Sequence, residues 1–169
     1  MVDFQLIVMF PDISNTYSRI ADNNIKALKS KCLRGLYSEA MFRTVIKGLD
    51  KFYSIDKLDW MKSFLNDRNQ HLATGCLECL CAHGYDLNDA IDVIQSRIDD
   101  KIFSSKVIEL AEKYDKPDIL LLFMDEEKGY VNRVLIALKK THHEDYMTTL
   151  MLSENESLVK SVDRITKNI

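Results

Sequence analysis

Apolar residues recur every three to four positions along most of this chain, and this period restricts the fold more than any other feature. The clearest example is a stripe formed by Met41, Phe42, Val45, Ile46 and Leu49. Such spacing places apolar side chains on one face of an α-helix, whereas a strand alternates at every second residue. Only 5 glycines and 2 prolines occur in 169 residues, which favours helices joined by short loops. The sequence therefore predicts an all-α fold of about nine short helices.

Helix-boundary signals support this prediction. Gly84 follows an apolar helical segment, where glycine commonly adopts the left-handed conformation just past a helix C-terminus. Thr141 with Glu144, and Ser153 with Glu156, have the spacing of capping boxes, in which the first side chain bonds a free backbone N–H of the helix. Both pairs predict helix starts near the C-terminus.

Two apolar segments depart from the amphipathic pattern. Ile119–Met124 is apolar at six consecutive positions and predicts the central core helix, because a helix that is apolar all round is buried. Val2–Phe10 alternates like a strand, with Val2, Phe4, Leu6 and Val8 on one face. With no second strand predicted, residues 1–11 either pair with a second copy of the chain, form an arm, or are helical.

The length and charge of the chain limit its functional classes. We expect residues 1–169 to form a single helical domain, since no long linker interrupts the pattern. The formal net charge of −3, without a basic stripe, disfavours nucleic-acid binding. The sequence shows no apolar run long enough for a membrane span and no secretory signal, so we expect a cytoplasmic or otherwise intracellular protein.

Cysteine and histidine residues cluster in one segment. Cys76, Cys79 and His83 would share a helical face, while Cys81 points elsewhere. A structural zinc site needs four ligands and usually draws two of them from a distant segment, but no second cysteine pair exists. We therefore expect buried, reduced cysteines without a metal, and the sequence indicates no cofactor and no catalytic residue.

The single tryptophan is the best candidate for a partner-binding anchor. Trp60 lies beside Met61 and Phe64 in a segment that also carries several polar residues, so partial exposure is expected. Exposed tryptophan often anchors protein interfaces. Together with Phe4, Leu6 and Val8 of the N-terminal segment, these residues form the predicted partner-binding set.

Three segments share a helix–turn–helix rhythm: Arg19–Leu28, Leu77–Asn88 and Ile108–Leu122. They resemble degenerate ankyrin-type repeats, and the third is similar to the end of that repeat's first helix, its turn and its second helix. This resemblance implies stacked helix pairs with a concave protein-binding face. The Thr-Pro-Leu-His opening of the ankyrin repeat does not occur, and an irregular helical bundle fits the same periodicity.

The sequence accordingly favours a non-enzymatic interaction or regulatory domain that presents a groove to a partner helix or peptide. One alternative is a regulator that resembles viral Bcl-2-like bundles in size, helix count and composition. The other is an enzyme whose site is assembled from dispersed acidic residues and histidines.

Overall fold

The computed structural model describes residues 14–34, 38, 41–50 and 57–167. The predicted all-α fold is confirmed, because these residues contain ten α-helices, two short 3-10 turns and no β-strand. The predicted strand at Val2–Phe10 and the dimer contact assigned to it lie outside the described residues. The chain divides into two compact units, Met1–Tyr85 and Asp86–Ile169. That residues 1–169 form a single domain stays a prediction.

The first unit is built around its last helix. Its described helices are α1 (Ser14–Leu33), α2 (Met41–Asp50), α3 (Lys57–Lys62) and α4 (Gln70–Ala82). Helix α4 starts where Asn69 Oδ1 accepts a hydrogen bond from the Leu72 N–H, at 3.0 Å. It ends just before Gly84, whose φ of 85° confirms the predicted left-handed position.

Close packing of α2 on α4 depends on a glycine. A Cβ at Gly75 would lie 3.2 Å from Cα of Arg43, so a larger residue there would push the two helices apart. The predicted apolar stripe of α2 is largely confirmed, since Phe42, Ile46 and Leu49 are buried while Met41 lies at its exposed edge. This packing places the ends of α2 and α4 beside each other.

The second unit contains two consecutive helical hairpins. Its α-helices are α5 (Ile91–Ser96), α6 (Lys101–Lys113), α7 (Pro117–Leu121), α8 (Val131–Lys140), α9 (Glu144–Met151) and α10 (Glu156–Lys167), with 3-10 turns at Leu87–Ala90 and Glu126–Lys128. Helices α6 and α7 are joined through Asp115, with φ 55°, and α8 and α9 through His142, with φ 60°. Both hairpins therefore reverse at a residue in the left-handed region.

The apolar run Ile119–Met124 differs from its prediction. Helix α7 ends at Leu121, and only Ile119, Leu120 and Phe123 are fully buried. Leu121 is half-buried, so this segment contributes one face to the core and is not an all-round buried helix. The prediction treated all six residues as one helix. The residues after Leu121 lie outside that helix, so an argument from helical period does not apply to them.

Both predicted capping boxes are also wrong in detail. The Thr141 hydroxyl donates to the Ala137 carbonyl oxygen at 3.0 Å, so it closes the end of α8, and His143 precedes α9 without a side-chain cap. Asn155 caps α10 in place of Ser153, because its Oδ1 accepts from the N–H groups of Ser157 and Leu158. The helix starts were predicted within a few residues, but the capping side chains were not.

Among the helices that the structure describes, none combines the length and the apolar character needed to cross a membrane.

Candidate functional site

A buried cation links three elements of the first unit. Lys57, at the start of α3, is 1% exposed. Its Nζ donates to the main-chain oxygen of Asp50 at 2.7 Å and lies 3.2 Å from Asp50 Oδ1 and 3.4 Å from His83 Nε2. His83 Nε2 also lies 2.9 Å from the side-chain oxygen Asp50 Oδ1. The ammonium is enclosed, so this cluster joins the ends of α2, α3 and α4 through a buried charge.

Two thiols of α4 are in environments that suppress their reactivity. Burial, together with the nearby carboxylates of Asp50 and Glu78, raises the pKa of Cys79 to about 12. Burial also raises the pKa of Cys76 far above the ordinary value for a thiol. A thiol reacts as the thiolate. Neither side chain is therefore suited to nucleophilic catalysis at neutral pH.

The cysteine and histidine cluster is not arranged as a metal site in the described part of the chain. All four cysteines are free thiols, and Cys76, Cys79 and Cys81 are buried. His83 Nε2 lies 2.9 Å from Asp50 Oδ1. Residues 14–34, 38, 41–50 and 57–167 contain no group of three or more His, Cys, Asp and Glu side chains placed to hold a metal ion.

The predicted anchor Trp60 is part of the core. It is 8% exposed, and its indole Nε1 donates to Asp22 Oδ1 at 2.7 Å. Met61 is fully buried, and Phe64 is half-buried in an edge contact with Trp60, with ring centroids 5.0 Å apart. Their role in partner binding stays a prediction, but the expected exposure of Trp60 is not observed. Phe4, Leu6 and Val8 lie outside the described residues.

The two hairpins of the second unit are connected by side-chain contacts at a constant sequence separation. Four hydrogen bonds each join residues 28 positions apart, and together they run from α6 and the first turn of α8 through the hairpin turns to α7 and α9. The pairs are Ser105 with Arg133, Glu112 with Lys140, Asp115 with His143, and Asp118 with Tyr146. We call these four pairs the 28-residue ladder. It shows that the hairpins are stacked in one register.

No direct signal for this ladder is visible in the sequence. Each pair joins a donor to an acceptor, so equivalent positions of the two hairpins carry complementary residues instead of identical ones. A search for repeated letters therefore misses it. One bond also changes an ionisation: acceptance by Asp118 raises the pKa of Tyr146 above its ordinary value.

Three cations of the second unit bond neutral oxygens. Arg133 donates to the hydroxyl and carbonyl oxygens of Ser105 at 2.6 and 3.0 Å. Lys139 donates to the carbonyl of Ile165 at 2.6 Å, and Arg164 donates to Asn132 Oδ1 at 2.8 Å. None of these three cations has an ion-pair partner among the described residues, so their positive charge is not neutralised locally.

An exposed isoleucine lies between these cations. Ile136 is 46% exposed on α8. Arg133 and Lys139 lie three residues to either side of it, and Lys140 follows four residues after it, so all three are its neighbours on the helix surface. Arg164 reaches α8 at Asn132, one turn before Ile136. We call Arg133, Ile136, Lys139, Lys140 and Arg164 the basic face.

Three acidic residues of the second unit are engaged by cations. Asp99 contacts Lys128, Asp100 lies 2.7 Å from Arg97, and Asp86 accepts from Lys116 at 2.8 Å. The bond from Lys116 holds the pKa of Asp86 below its usual value. A carboxylate whose pKa is lowered in this way, as that of Asp86 is, is a poor proton donor at neutral pH.

Comparison with known protein families gives no match, and neither curated proteins nor solved structures give one.

Proposed function

We propose that this chain is a non-enzymatic protein-interaction module in which stacked helical hairpins present a surface to a partner helix or peptide. The observation that carries the proposal is the 28-residue ladder, which links α6 to α8 and α7 to α9 in a common register. Stacking of equivalent hairpins is the design of ankyrin-type and other helical-repeat proteins, which bind partners along the surface of the stack.

The physical advantage of such a stack is pre-organisation. Its backbone is ordered before the partner arrives, so little conformational entropy is lost on binding. The apolar face of α8 is already buried within the second unit, where it contributes Val134, Leu135, Ala137 and Leu138. The exposed side of the same helix is consequently available for contacts. The four free thiols are consistent with a protein that acts in a reducing, intracellular compartment.

Selection of peptides on the intact chain tests this proposal. A phage-displayed library of random 16-residue peptides is selected on the full-length protein. A parallel selection uses Leu135→Asp, which places a carboxylate in the core of the second unit and should unfold it. We expect one family of related peptides that binds the wild type alone and slows hydrogen exchange in α6, α8 or α10.

Two outcomes would contradict a protein-interaction function. One is a selection whose sequences do not converge. The other is a converged family that binds Leu135→Asp as well as it binds the wild type, because such peptides recognise exposed core residues.

A further inference from the structure

We infer that the basic face binds an acidic protein segment that carries a large apolar side chain flanked by carboxylates. This inference rests on the proposed function and specifies its partner. The basic face brings together an exposed apolar side chain, Ile136, and three cations that bond only neutral oxygens. The whole chain has a net charge of −3, so this is a local reversal of its average charge.

The cations are already held in place. Arg133 is fixed by two bonds to Ser105, and Arg164 is fixed by its bond to Asn132. Because their acceptors are neutral, each guanidinium retains a full charge and further N–H donors for an incoming carboxylate. Pre-positioned arginines lose less side-chain entropy on binding than mobile ones.

A polar cleft beside α8 extends the surface. Asn132, Ser157 and Ser161 help to line a shallow cavity between α8 and α10, of about 250 Å³. Hydroxyl and amide groups at its wall can donate to carboxylate oxygens. An acidic segment lying along α8 would therefore place its apolar side chain on Ile136 and its acidic side chains near Arg133, Arg164 and this cleft.

The mixed charge of the surface favours a protein segment over a nucleic acid or a lipid surface. Lys140 is paired with Glu112 at 2.9 Å, and α10 also carries Glu156 and Asp163, so the positive charge is interrupted. Phosphate backbones are bound by several neighbouring cations. Interfacial helices insert a broad apolar face, whereas the basic face has one isoleucine.

Binding of designed peptides to the full-length protein tests the inference. The probe is a fluorescein-labelled 16-residue peptide of glutamate and alanine with one central leucine. One control peptide has serine in place of the leucine, and another has lysine in place of every glutamate. Fluorescence anisotropy should detect the first peptide, with at least about threefold weaker binding of the serine peptide and none of the lysine peptide.

Three single variants locate the binding surface. Arg133→Glu should weaken binding of the leucine peptide about tenfold, and Ile136→Gln about threefold. Position 133 is in the first turn of α8, where a carboxylate is compatible with the helix dipole, so the variant should fold. Lys26→Glu makes the same charge change on an exposed lysine of α1 and should alter binding less than twofold. Circular dichroism confirms that each variant is folded.

The inference is overturned if the leucine peptide does not bind, or if Lys26→Glu weakens binding as much as Arg133→Glu. It is also overturned if anionic phosphatidylserine vesicles or duplex RNA bind through Arg133 while the peptide does not. Phage selection that converges on peptides without acidic residues, bound at another helical surface, would reject this partner class and leave the proposed function standing.

Discussion

Asp50 and His83 are 33 residues apart in the sequence, yet Nε2 of His83 lies 2.9 Å from Oδ1 of Asp50. The two residues stand at the ends of α2 and α4, and Lys57 at the start of α3 contacts both of them. The Asp50 carboxylate thus contacts residues from both other helix ends, and it balances the charge of the buried Lys57 ammonium.

Asp50→Ala should lower the free energy of unfolding by about 3 kcal/mol, because it leaves the Lys57 ammonium buried without its carboxylate. Lys57→Met keeps most of the side-chain volume and removes the charge, so it should cost less than about 1.5 kcal/mol. Urea denaturation of both variants measures the difference. Equal losses in the two variants would show that the charge contact contributes little.

Leu120→Ala should cost about 2–5 kcal/mol, since Leu120 is fully buried in the second unit. Leu121→Ala provides a matched control with the same chemical change at the neighbouring, half-buried position, and should cost less than about half as much. Thermal and urea unfolding give both values. A larger loss at Leu121 would restore the original interpretation of Ile119–Met124 as a helix buried all round.

His142→Gly should stabilise the protein by about 0.5–1 kcal/mol, because glycine adopts a φ of 60° without the steric cost that histidine carries. His142→Val should destabilise it, since β-branched residues are least tolerant of this conformation. The two midpoints in urea should therefore move in opposite directions from the wild type. A shift in the same direction would contradict a left-handed residue at this hairpin.

Cys32 should react with a thiol reagent in the native protein well before the other three cysteines. Cys32 is part-exposed on α1, whereas Cys76, Cys79 and Cys81 are buried. Absorbance with 5,5′-dithiobis(2-nitrobenzoate) should rise in one step for Cys32, and the remaining thiols should react only when guanidinium unfolds the chain. The variant Cys32→Ala should lack the first step; fast release of further thiols would show that α4 opens readily.

The stability of the protein should fall as pH rises from about 9 towards 12, in part because of Cys79. Its pKa is raised from 9.0 to about 12 in the folded state, so the unfolded chain loses this proton first. Stability from the buried thiol is therefore present below pH 9 and is lost as pH rises through the folded pKa. Cys79→Ala should show a shallower loss of stability than the wild type over this window in urea titrations.

The spacing of apolar residues was enough to predict the helical class of the fold, because that spacing indicates which face of each helix is buried. Gly84 located the C-terminal end of α4, since a left-handed φ depends on nearby backbone groups. Thr141 shows the limit of such signals. It lies between two helices as expected, but its hydroxyl bonds a carbonyl oxygen at the C-terminus of α8 and does not cap the N-terminus of α9. A short polar side chain can serve either helix when two helices meet at a turn.

Tertiary contacts alone decided which polar residues meet. Nothing in the neighbours of Lys57 predicts that it is buried, because its burial depends on Asp50 and His83 from two other helix ends. Arg133 likewise meets Ser105 only because the two hairpins stack with residues 28 positions apart facing each other. The charge of Arg133 on the basic face therefore stays without an ion-pair partner among the described residues. Local sequence sets secondary structure through short-range backbone and side-chain preferences, whereas ion pairs and exposed charge depend on which distant segments the packed core brings together.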